Sequence, residues 1–274
     1  MPLLETRGSG SALGYGLGSA SATKIITENL VLYLDAAEPS SYPGTGTIWY
    51  DISGTGNNLT LTNSVYNSQN QGYIEYNGQF KPGSSSSPNG GTTGVIGSSQ
   101  SFNFVSGDFS ISMWFLADNR METSSTSYHS FFHFATAYEA SLYVGIWRSG
   151  LGDGNIYSSM ANVGLFTTTP GSNGTGGNYL STSNAPYNMF GSWHNFVFTF
   201  TGSTAKIYIN GILQGTMSFS RPANAAQPLY IGSGFFDDRT FWGGISQFLV
   251  YKGKCLTDIE VLQNFNAVKV RYGL

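Results

Sequence analysis

The stretch Asp108-Phe-Ser-Ile-Ser-Met-Trp-Phe115 places Phe109, Ile111, Met113 and Phe115 at every second position. Successive side chains of a strand point to opposite faces, so these four share one side of an extended segment. A strand with such a face must bury it against a second layer. The pattern recurs on both sides of this stretch. Asn29-Leu-Val-Leu-Tyr-Leu-Asp35, Ile48-Trp-Tyr-Asp51, Leu59-Thr-Leu61 and Gly72-Tyr-Ile-Glu-Tyr-Asn77 read as strands before it. Phe131 to Phe134, Ser141 to Trp147, Trp193 to Phe200, Pro228 to Gly232 and Trp242 to Tyr251 read as strands after it. Ala205 to Thr216 reads as a hairpin turning at Asn210-Gly211, because both central residues of a type I′ turn need positive φ. Residues 81–100 and 148–192 read as loops rich in Gly, Ser and Pro.

One helix follows the last strand. Thr257 is placed to cap it, with Glu260 completing a capping box and Leu256 and Val261 a hydrophobic staple. Ile259, Leu262 and Phe265 are expected to form its buried stripe. Many strands and one short helix predict an all-β sandwich or jelly roll of two antiparallel sheets.

Composition agrees. Of 274 residues, 40% are hydrophobic and 15% aromatic, enough for a large core, while 36 are glycine, which favours turns. Only 10% are charged, with a net charge of −3 and no basic run, which argues against nucleic acid as a partner. No apolar run is long enough to cross a membrane as a helix, and Met1 to Ala22 lacks the core of a signal peptide. Cys255 is the only cysteine, which excludes an intrachain disulfide and a cysteine-based zinc site. Residues 1–27 form a separate glycine-rich segment ahead of a sandwich over 28–274. Its regularly placed Leu13, Tyr15 and Leu17 suggest an arm that orders against a partner or oligomerises, rather than a plain linker.

The order of these segments resembles the laminin-G-like/concanavalin-A-like domains of tailed-bacteriophage virion proteins. Four stretches carry the resemblance. They are Leu30 to Ala36 with Trp49-Tyr-Asp-Ile-Ser-Gly54; Gly107 to Trp114; Trp193 to Phe200 with Lys206-Ile-Tyr-Ile-Asn-Gly211; and Gly243 to Tyr251 running into Leu256-Thr-Asp-Ile-Glu260 and Gln263 to Ala267. The resemblance implies a concanavalin-A-like sandwich of about 12–14 strands. It implies a non-enzymatic virion protein, made in the host cytoplasm: a capsid decoration, head-fibre or tail-associated protein. Residues 1–24 would contact other virion proteins, and the sandwich would bind a protein or a host surface glycan. Closed symmetry makes a homo-oligomer, a trimer, the expected assembly. The alternative is a carbohydrate-binding adhesin outside any virion.

Retaining glucanases share this fold but need two carboxyl groups about 5–5.5 Å apart. Asp35 and Glu38 are three apart at a strand end, and Glu139 is solitary, so no catalytic residue is assigned. His129 and His133 read as strand positions on one side of a sheet, about 13 Å apart, too far to share a zinc. No metal ligand and no cofactor are assigned. Related domains hold calcium at a rim, and Asp35, Asp51, Asp153, Asp237 and Asp238 are the loop acids available. Where many relatives carry an acid after Gly243-Gly244-Ile245, this chain has Ser246-Gln247, and Asp51 equally suits a turn that caps backbone N–H groups. Sugars are bound by aromatic faces with polar groups nearby. Trp147 and Tyr187, flanking the long loop, and Asp237 and Asp238 are the glycan-binding candidates; Trp242 is expected to be buried.

Overall fold

Alternation along the strands builds two layers that meet through their apolar sides. The computed structural model describes residues 24–77, 93–120, 128–136, 139–147, 160–165, 178–181, 189–218, 226–232 and 241–274. In chain order the strands are β1 (Leu30–Asp35), β2 (Ile48–Trp49), β3 (Leu59–Thr62), β4 (Val65–Asn67), β5 (Tyr73–Asn77), β6 (Thr93–Ile96), β7 (Phe109–Ala117) and β8 (Tyr128–Thr136). They continue as β9 (Glu139–Trp147), β10 (Met160–Leu165), β11 (Asn178–Ser181), β12 (Trp193–Thr201), β13 (Thr204–Ile209), β14 (Ile212–Ser218), β15 (Leu229–Ile231) and β16 (Trp242–Lys252). The helix α1 spans Asp258–Val268. It is not long enough to cross a membrane, nor is any other helix among the described residues.

The back sheet runs β14-β13-β12-β7-β16-β5-β4, with β1 also paired to β16; the front sheet runs β11-β10-β9-β8-β15-β6-β3-β2. All pairings between the described strands are antiparallel. Phe109, Ile111, Met113 and Phe115 all enter the core between the sheets, as their spacing predicts, where they join Phe196, Phe198, Phe132, Phe134, Leu229 and Phe248. Asn210 (φ 52°) and Gly211 (φ 77°) make the β13–β14 turn. The expected sandwich is therefore present, with sixteen strands among the described residues.

Three details differ from the sequence reading. First, β6, β10 and β11 lie inside the segments read as loops. In β6, a Cβ on Gly94 would sit 2.5 Å from the Leu59 side chain, so a glycine that looks like a turn signal is a packing requirement. Second, the capping box and the buried Leu256 and Val261 are as expected, but the buried side of α1 is Val261, Asn264, Phe265 and Val268. Ile259 and Leu262 are exposed. Third, a bulge in β8 between Ser130 and Phe132 reverses the side-chain order. His129 stands two positions from core residue Phe131, whereas His133 lies between core residues Phe132 and Phe134 and takes the opposite side. The two histidines thus do not share a face.

Residues 24–28, grouped largely with the arm by composition, are fastened to the back of the sandwich. Asn264 accepts from Ile26 N (2.8 Å) and donates to Tyr251 Oη (3.0 Å), which donates to Ile26 O (2.8 Å). Gln263 donates to Lys24 O (2.8 Å), and Ile25 packs between two apolar clusters under α1.

Candidate functional site

The acids nearest the expected rim are occupied by the protein itself. Asp51 accepts from Tyr33 N (2.9 Å), Ser53 N (2.9 Å), Ser53 Oγ (2.9 Å), Thr55 Oγ1 (2.9 Å) and Asn57 N (3.0 Å). It is the centre of a turn, as one of its two sequence readings has it. Burial opposes the charged form, but these donors outweigh it and hold the carboxyl below the usual carboxylate range. A lowered native pKa adds stability above the unfolded value of about 3.9, and that stability is lost as pH falls through the native value. Asp51→Asn should therefore cost about 2 kcal/mol at neutral pH. In urea titrations at a series of pH values, its difference from wild type should shrink from pH 4 towards pH 2. A difference constant with pH would mean that the charge is not what these donors stabilise.

Asp35 is fully buried and accepts from Arg271 Nη1 with both oxygens (2.7 and 2.9 Å), from Gln247 Nε2 (2.9 Å) and from Ala37 N (3.0 Å). Gln247 thus serves as a donor to Asp35. Among the described residues, no three His, Cys, Asp or Glu side chains are grouped to hold a metal. Asp153, Asp237, Asp238, Tyr187, Leu13, Tyr15 and Leu17 lie outside the described residues.

A groove beside the start of α1 is lined by Thr199, Thr201, Thr204, Lys206, Cys255 and Asp258, among others. Its charges are paired, with Lys206 Nζ 2.9 Å from Asp258 Oδ1, which also accepts from Tyr208 Oη (2.7 Å). Burial pushes the Cys255 thiol up, and the Thr199 hydroxyl offsets only part of this, so a nucleophilic thiolate is disfavoured.

The outer face of the front sheet offers different chemistry. Core residues Phe132, Phe134, Leu229, Ile231, Leu59 and Leu61 point inward, so His133, Tyr230 and Thr60 between them take the outer side. Register then lines up Tyr179, Gly164, Tyr143, His133, Tyr230, Val95, Thr60 and Ile48 in one row across eight strands. A parallel row holds Ser181, Asn162, Gly145 and Ser130, and a third holds Met160, Trp147 and Tyr128. Trp147 is the one sequence-predicted glycan residue among those whose backbone is described; it ends β9, paired with Tyr128 and Met160, four residues along from Tyr143. His133 and Tyr230 stack face to face, with ring centroids 4.7 Å apart and planes 7° from parallel. His133 is buried and Tyr230 half-buried. The stack fixes the phenol ring in place, which reduces the freedom lost when a ligand settles on it. These rows carry no Asp or Glu.

Sequence reading missed Tyr143, His133 and Tyr230. Their signal was local: Leu142-Tyr-Val144 and Leu229-Tyr-Ile231 each set a tyrosine between two aliphatic core residues. Trp242, expected to be buried, is half-buried, with the Arg120 guanidinium 5.2 Å from its ring centroid.

Comparison with known proteins agrees with this architecture. The Laminin_G_3 model, described as the concanavalin A-like lectin/glucanases superfamily, matches residues 89–262, well over half of the chain. No curated protein matches the sequence. The structure is similar to the binding domain of Paraclostridial Mosquitocidal Protein 1, at 18% identity over 88% of this chain and 52% of that one, with a TM-score of 0.61. It is similar to domain 4 of AbnA, a GH43 extracellular arabinanase from Geobacillus stearothermophilus, in complex with arabinotriose. There the identity is 17% over 86% of this chain and 98% of that one, with a TM-score of 0.56. It is also similar to the binding domain of botulinum neurotoxin DC in complex with SialylT, at 15% identity over 88% and 52%, with a TM-score of 0.58. At these identities the likeness is one of fold. The chain spans about half the length of the two toxin binding domains and nearly all of the arabinanase domain.

Proposed function

The chain belongs to the concanavalin A-like lectin/glucanases superfamily, and from that premise we propose that it is a non-catalytic carbohydrate-binding domain. Its ligand face is the outer side of the front sheet. The observation that carries this reading is the stacked His133–Tyr230 pair on that face. Apolar sugar faces pack on aromatic rings, while the exposed Thr60, two strands away in the same row, supplies a hydroxyl partner. Hydrolysis of a glycosidic bond calls for a pair of carboxyl groups, and these rows have none. The similar structures are described as binding domains, or as a domain seen with a bound arabinose oligomer. The test is a glycan array probed with the full chain, alongside a reducing-sugar assay on the same polysaccharides. Binding without release of reducing ends is expected. Steady release of reducing ends would replace this reading with a glucanase.

The finer setting that we propose is display on a virion. What supports it is the layout of the domain. Residues 24–28 are fastened to the outer side of the back sheet, so an anchor carried by residues 1–23 leaves the front face free for a host glycan. Immunogold labelling of phage particles with an antibody to the folded domain should place gold at a defined position. Particles without gold would move the protein to the adhesin alternative.

A further inference from the structure

The crest of α1 carries apolar side chains that the sandwich does not use. Ile259 is 79% exposed and Leu262 46% exposed, although both sit in a helix whose other side packs on the back sheet. The β13–β14 hairpin extends this surface. A Cβ on Gly211 would lie 3.1 Å from Leu262 Cδ1, so the turn abuts the helix. Leu213, 43% exposed, pairs with Tyr208, which belongs to the cluster beneath α1. Leu262 and Ile259 on the helix and Leu213 on the adjoining hairpin therefore expose apolar side chains on the back of the domain.

The opposite flank of α1 is where the N-terminal segment comes in. Lys24 O accepts from Gln263, Ile26 N donates to Asn264, and Lys254 bridges Glu28 (2.9 Å) and Glu260 (2.8 Å). At 3.6 residues per turn, Glu260, Gln263 and Asn264 mark one flank, Leu262 and Phe265 the other, and Ile259 the crest between them. Residues 8–23 contain no charged side chain, and Leu13, Tyr15 and Leu17 alternate with Gly14, Gly16 and Gly18. An extended segment of that pattern has three apolar side chains on one side and none on the other. The seven steps from Lys24 back to Leu17 span up to about 24 Å, against a helix diameter of about 10–12 Å.

We propose that residues 13–17 of the same chain cross the crest of α1 and seat Leu13, Tyr15 and Leu17 against Ile259, Leu262 and Leu213. Attachment through a short linker favours this occupant over a free one, because it holds the segment at an effective concentration near millimolar. The apolar residues of the arm and the exposed residues of the helix then cover each other.

The test is disulfide trapping in the full chain, with Cys255→Ser removing the native thiol. Tyr15→Cys is combined with Ile259→Cys in one variant and with Leu213→Cys in a second. A control combines it with Val65→Cys, on the exposed strand β4 at the far edge of the back sheet. All the partner positions are exposed, so the fold tolerates them. Under dilute mild oxidation, the first two pairs should close within one chain about tenfold faster than the control. Equal rates would overturn the proposal, and so would bonds found only between chains, which would assign these exposed side chains to a second copy.

Discussion

Asp35→Ala is expected to lower the unfolding free energy by about 3–5 kcal/mol, the usual cost of removing one partner of a buried ion pair. The carboxylate is fully buried, and the Arg271 side chain is only 16% exposed, so water cannot take over the missing contacts. The variant strands the guanidinium, the Gln247 amide and the Ala37 N–H together. It also frees the C-terminal turn at Lys269–Tyr272, where Tyr272 stacks on both Trp114 (4.5 Å) and Trp193 (4.6 Å). The melting temperature should fall by about 10 °C. Asp35→Asn combined with Arg271→Met should cost less than half as much, since neither charge is then left buried alone. Urea unfolding of the three proteins decides this. A loss below about 1 kcal/mol for Asp35→Ala would mean that the pair behaves as a solvated one.

Gly243→Ala should be at least as damaging. Gly243 lies in β16, paired with Ala117 on one side and Tyr76 on the other, at φ 144°. A Cβ there would sit 1.9 Å from Leu116 O and 2.8 Å from the Phe241 ring. The closer atom is backbone in a neighbouring strand, so no side-chain rotation relieves the clash. A cost above about 4 kcal/mol and loss of soluble folded protein are expected. Gly202→Ala is the matched control, because its φ is also positive, at 60°, but nothing lies within 4 Å. It should cost only about 1 kcal/mol, the backbone part alone. Equal effects at the two positions would remove close strand packing as the reason for Gly243.

The parts of the fold legible in the sequence are those written into short-range spacing. Phe109 to Phe115 shows its inward face by alternation, Asn210-Gly211 its turn by positive φ, and Thr257 with Glu260 its helix start by a reciprocal pair. What the sequence hid depends on distant partners. Two apolar stripes compete on α1: Ile259 with Leu262, and Val261 with Phe265 and Val268. The second is buried although polar Asn264 interrupts it, because Asn264 serves Ile26 and Tyr251. That pairing spans 238 residues in one case and cannot be read from a local window.

The candidate site followed the same rule. Each of Tyr143, His133 and Tyr230 occupies an alternating position that sequence alone exposes, but no short-range pattern says that three different strands bring them into one row. The β8 bulge adds a further obstacle. It turns His129 inward and leaves His133 outside, where simple counting puts both on one side.

The central claim is that the front sheet's outer face binds carbohydrate through the ring stacked on His133. Its most direct test is side-by-side glycan-array titration of the full chain and of Tyr230→Ala. Tyr230 is half-buried on the outer side, and its neighbours Leu229 and Ile231 hold the core, so the variant keeps the fold. Stacking of this kind contributes about 0.5–1.5 kcal/mol, so the account predicts binding by the wild type and about two- to tenfold weaker binding by the variant. Undiminished binding by a folded Tyr230→Ala protein, or no binding by the wild type to any glycan, would contradict it.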